Sequence, residues 1–89
     1  MLEPGNHNNL NDSFRQIIAE DSDGIFLARY LDRENYPDVT FQALAIRWLD
    51  GKSWEQMAAE FEISSVRLRR FYHQSLSEFR PYLRERLEE

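Results

Sequence analysis

The chain has no cysteine among its 89 residues, which excludes disulfides and thiolate metal sites. Histidine is scarce too. His7 and His73 lie far apart and His7 sits in a polar leader, so nothing suggests a zinc site. No apolar run approaches the ~20 residues that span a bilayer, and the basic-then-apolar pattern of a signal peptide is missing. A cytoplasmic protein with no membrane partner is therefore expected. Internal repeats and strand-like alternation are also missing, as are a phosphate loop, a nucleophile–base pair and a metal-ligand set. Catalysis has little behind it, and no cofactor is expected. A hydrophobic share of 42%, with 13% aromatic residues, is enough for one small core.

Two apolar stripes are present instead. Trp54, Met57, Ala58 and Phe61 fall at i, i+3, i+4 and i+7, which places them on one helical face. Leu68, Phe71, Tyr72, Ser75, Leu76 and Phe79 repeat that spacing. Only Glu62-Ile63-Ser64 separates them, so the two helices must cross steeply, with the small Ala58 allowing close approach. This is the pattern of a helix-turn-helix, whose second helix enters the DNA major groove. Ser53 and Gln56 form a Ser-x-x-Gln capping box before the first stripe, and Ser64 is placed to cap the second helix. Glu62 occupies the turn where glycine is common, so the turn must accept strain or another conformation.

Along the rest of the chain, residues 1–10 read as a disordered leader. Asn11-Asp12-Ser13 can cap a helix to about Glu20, with Phe14, Ile17 and Ile18 inward. Asp21-Ser22-Asp23-Gly24 breaks that helix. It echoes the start of a calcium loop, but its spacing to glycine is too short and no glutamate closes it. A helix is expected from Ile25 to about Glu34, then a turn at Asn35-Tyr36-Pro37-Asp38. Thr40 should cap a helix over 41–50, with Phe41, Leu44, Ala45, Trp48 and Leu49 inward, and Gly51 should end it. Pro81 either kinks the last helix or opens a short terminal one. The expected fold is all-α, a small bundle of about four to five helices with a C-terminal helix-turn-helix. Residues 11–38 should pack with residues 39–89 as one domain.

The net charge of −5 is unevenly spread. Residues 1–50 carry four basic and nine acidic groups, a balance of −5. Residues 64–80 carry Arg67, Arg69, Arg70 and Arg80 against Glu78 alone, a balance of +3. A local positive field on the second helix outweighs the total for binding duplex DNA, although the acidic remainder should weaken non-specific affinity and make it salt-dependent.

From about Val39 to Leu83, roughly half the chain, the sequence resembles the region-four helix-turn-helix of bacterial sigma factors. Gly51, Trp54-Glu55-Gln56-Met57-Ala58, Ile63-Ser64 and Leu68 carry the resemblance, with Phe79-Arg80 near its close. FQALAIRWLDG fits the helix before the motif, and FQALAIRWL with FYHQSL is also similar to sigma-like proteins of cyanobacteria. Glu62 and Arg67 depart from the family pattern, and nothing resembles the sigma region that melts promoters. The resemblance implies that residues 65–74 face a promoter element and that neighbouring surfaces contact RNA polymerase.

With Leu68 as the buried centre, Val66, Arg70, His73 and Ser77 point away from the core, flanked by Arg69 and Gln74, with Arg67 on the other flank. Arginine suits guanine and glutamine suits adenine, so Arg69, Arg70 and Gln74 are the best-placed base readers, with His73 beside them. Lys52, Ser64, Ser65 and Arg67 are better placed for phosphate. Ser64 has a structural role as a cap, while Trp54, Met57, Phe71 and Phe79 belong to the core. The alternative function is a helical interaction module that binds RNA polymerase, a regulatory partner or a second copy of itself without reading DNA.

Overall fold

The computed structural model describes residues 5–88, with side chains from Asp12 onward. In chain order it comprises α1 (Gly5–Glu20), β1 (Tyr30–Asp32), β2 (Tyr36–Thr40), α2 (Phe41–Leu49), α3 (Trp54–Phe61) and α4 (Ser65–Glu88). The helical expectation holds for most of the chain, but the fold is not all-α. A two-stranded antiparallel hairpin, β1–β2, replaces the helix expected from Ile25 to Glu34.

Three local causes account for that difference. The Asp21 carboxylate accepts hydrogen bonds from the backbone of Phe26 (3.0 Å) and Leu27 (2.9 Å), which curls the chain back after α1. Gly24 supports the curl at φ +70°. Asp32 accepts from the backbone and side chain of Asn35 (3.2 and 2.9 Å), which places the turn at Arg33-Glu34-Asn35 rather than at 35–38. Pro37 keeps Tyr36 extended, as a strand requires. An isolated two-stranded hairpin is marginal in water. This one is held by burial of Val39, Thr40 and Phe41, and by a bond from the Phe41 backbone to the Arg29 carbonyl (2.9 Å).

α1 starts earlier than expected, so Asn11-Asp12-Ser13 lie inside it and do not cap its start. The overlap also covers part of the stretch read as a leader; residues 1–4 of that stretch lie outside the described residues. The other helix boundaries follow the sequence. Thr40 caps α2 through the Ala43 amide. Gly51, at φ +98°, closes it with bonds from Gly51 to the Trp48 carbonyl and from Lys52 to the Arg47 carbonyl. Both bonds of the Ser53–Gln56 capping box are made. α4 runs unbroken through Pro81, so the proline neither ends the helix nor opens a separate one.

The core collects from every element. Ile18, Phe26, Phe41, Leu44, Ala45, Met57 and Leu68 have no exposed surface. Phe26 lies in the curl after α1, and its ring meets Phe41, Phe79 and Tyr82 at centroid distances of 5.7, 5.0 and 5.7 Å. Phe41 stacks on Tyr72, and Tyr72 meets Trp54 at 5.2 Å. Trp48 departs from its expected inward position. It is 44% exposed, covered on one side by stacking on Trp54 at the edge of the core.

Candidate nucleic-acid interface

α3 and α4 are joined by the short turn Glu62-Ile63-Ser64 and pack against each other. Glu62 adopts the left-handed conformation (φ 59°, ψ 43°) that a glycine would accept without strain. Ile63 is buried beneath the turn, and Ser64 caps α4 by accepting from the Arg67 amide at 3.1 Å. Leu68, Phe71 and Tyr72 face the core, so the arginines between them are turned outward. Arg67, Arg69, Arg70, His73 and Gln74 are all exposed, Val66 is 57% exposed, and Ser65 is half-buried in the first turn.

α4 presents these side chains on two flanks. At about 100° per residue, Arg67, Arg70 and Gln74 (i, i+3, i+7) form one stripe, while Arg69 and His73 (i, i+4) form another. Arg67 and Gln74 therefore share a flank, and Arg69 stands apart from Gln74. The first stripe faces the hairpin. Together with Ala28, Arg29, Tyr30, Leu31, Arg33 and Phe71, it lines an open cleft of about 590 Å³. The second stripe lies toward α3, where the His73 ring is 6.4 Å from Trp54.

Charges around the site differ in how they are engaged. Lys52 is 3.6 Å from Glu60, which also takes a close multiple contact from Arg47 (shortest 2.8 Å), so Lys52 is held to α3 by a carboxylate. The hydrogen bonds from Arg47 hold the Glu60 carboxyl below its usual range. Arg29 donates to the buried Ser75 hydroxyl (3.1 Å) and pairs with Glu78 (2.8 Å), which pins the start of the hairpin to α4. Arg67 lies over the Tyr36 ring and Arg33 over the Tyr30 ring, at 5.6 and 5.5 Å. Hydrogen bonds from the Asn35 side chain and backbone lower the Asp32 carboxyl, with a smaller contribution from Arg67. Among the described residues, Arg69 and Arg70 enter no ion pair.

Neither a family model, nor a curated protein, nor a solved structure matches this chain. Arg29 and Arg33 also line this cleft, which helical periodicity does not show, because both fall within a segment whose pattern reads as helix. The signal was present in the short spacing between Tyr30-Leu31-Asp32 and Tyr36, with an aspartate three residues before an asparagine.

Proposed function

We propose that the protein binds double-stranded DNA through the outer face of α4, as a transcription factor or sigma-like component. The observation that carries this reading is the pair Arg69 and Arg70. They are exposed on the second helix of a helix-turn-helix and are not drawn into ion pairs among the described residues, while Leu68, Phe71 and Tyr72 anchor the same turns. An unneutralised guanidinium on a helix that fits the major groove can bond guanine O6 and N7 together. Gln74 and His73 extend the reading surface along the helix, and Val66 offers an apolar contact of the kind that meets a thymine methyl.

Selection of sites from a randomised duplex pool, followed by binding measured across salt concentrations, tests the proposal. A recovered sequence preference, and a loss of about 1–3 kcal/mol with relaxed preference in Arg70→Ala, are expected. Failure of the protein to bind any duplex at low salt refutes it.

A second reading, the helical interaction module, is favoured by a separate surface. Phe14 of α1 and Leu76, Leu83 and Leu87 of α4 line an apolar groove of about 440 Å³, bordered by Arg80, Arg84 and Glu88. RNA polymerase, a regulatory partner or a second copy of this chain fits that chemistry. Concentration-dependent sedimentation of the protein alone tests the self-association form, and a strictly monomeric protein at high concentration removes it.

A further inference from the structure

We propose that the cleft between the hairpin and α4 is a phosphate clamp, in which Arg33 of the hairpin turn joins Arg67 and Arg70 to grip a phosphodiester bordering the groove that α4 enters. The inference rests on the DNA reading above and adds the hairpin to it as a second contacting element.

Four guanidinium groups line this cleft and no carboxylate does. Arg29 is already committed to Ser75 and Glu78, which leaves Arg33, Arg67 and Arg70 facing the opening. Arg33 and Arg67 rest on the Tyr30 and Tyr36 rings, a placement that restrains a guanidinium plane without using its N–H edge. The nearby Asp32 carboxylate accepts two hydrogen bonds from Asn35 and interacts with Arg67, so it offsets part of the positive field without lining the cleft. A planar fork of donors with restricted motion suits the paired oxygens of a phosphate. The position fits a duplex as well. Phosphates border the groove in which a recognition helix lies, and the hairpin stands beside the Arg67–Gln74 flank of that helix.

Arg33 lies at an exposed turn, outside the helix-turn-helix and the core, so Arg33→Ala isolates the clamp from groove reading. Its melting temperature should match that of the parent. Duplex affinity at low salt should fall by about tenfold, the slope of log K against log salt should shrink by about one, and the preferred sequence should not change. Arg67→Ala should behave in the same way. If the parent binds duplex and Arg33→Ala binds identically with the same salt slope, the clamp is refuted while the DNA reading survives. If the parent binds no duplex, both fall. Titration of the protein with inorganic phosphate alone, followed by arginine Nε–H NMR signals, should give only weak, non-saturating shifts. Saturation at sub-millimolar phosphate would reassign the cleft to a free phosphate ligand and overturn the duplex clamp.

Discussion

Replacing Phe26 with alanine probes the part of the fold on which the cleft depends. Phe26 has no exposed surface and packs its ring against Phe41, Phe79 and Tyr82. Its carbonyl also accepts from the Arg29 and Gln42 amides, so the residue joins the curl after α1 to the start of α2. Removing a fully buried phenyl ring costs about 3–5 kcal/mol once the residual cavity is included. A domain of this size is stable by roughly 5–10 kcal/mol, so the substitution takes a large share of the total. At about 4–8 °C per kcal/mol, the melting temperature should drop by roughly 12–40 °C. The neighbouring Leu27 is 54% exposed, and Leu27→Ala should stay within about 0.5 kcal/mol of the parent. Thermal and urea unfolding followed by far-UV circular dichroism measure both. A Phe26→Ala variant melting within a few degrees of the parent, or a Leu27→Ala variant melting far below it, would show that residues 25–29 do not take the described path.

Two further predictions concern stability. Glu62→Gly relieves a left-handed backbone that costs an L-residue about 1–2 kcal/mol, offset by about 0.5–1 kcal/mol from the freer unfolded chain. A rise in stability of up to about 1.5 kcal/mol is expected, and a lower urea midpoint would contradict it. Acid should also destabilise the protein through carboxylates that the fold holds below their usual range. Asp50 is lowered by hydrogen bonding to Arg15, Glu60 by Arg47 and Asp32 by Asn35. Depressed folded values mean that this stability is present above the ordinary carboxylate pKa and is lost as pH falls through the folded ones. The urea midpoint should therefore fall below about pH 5, with a shallower fall in Glu60→Gln. An identical pH profile in that variant would remove Glu60 from the account.

Much of the C-terminal half was legible because its signals are local. Ser53, Gln56, Ser64 and Gly51 act within a few residues of their partners, and the stripes from Trp54 to Phe79 follow one period. Exposure of Arg67, Arg69, Arg70, His73 and Gln74 followed from the burial of Leu68 by helical geometry alone. The hairpin was not legible by the same means. Its strands are short, and neither Tyr30-Leu31-Asp32 nor Tyr36–Thr40 presents a clean two-residue alternation. What decides them is distant: Arg29 reaches Ser75, and Phe26 reaches Phe79 and Tyr82. In the sequence Ser75 is one small residue of an apolar stripe, yet it accepts the bond that brings an arginine of the acidic half to α4. A charge sum by segment cannot show this, because Arg29 and Arg33 stand among acids in sequence and join the arginines of α4 only in space.

α4 gives these surfaces a common mechanical frame. Its 24 residues run from the arginine cleft to the apolar groove, about 36 Å at 1.5 Å per residue. Pro81 removes one rung of the helical ladder, at the Ser77 carbonyl, between the cleft and the distal end of that groove. Replacing Pro81 with alanine would restore that rung and remove a local weak point between the two ends of the helix.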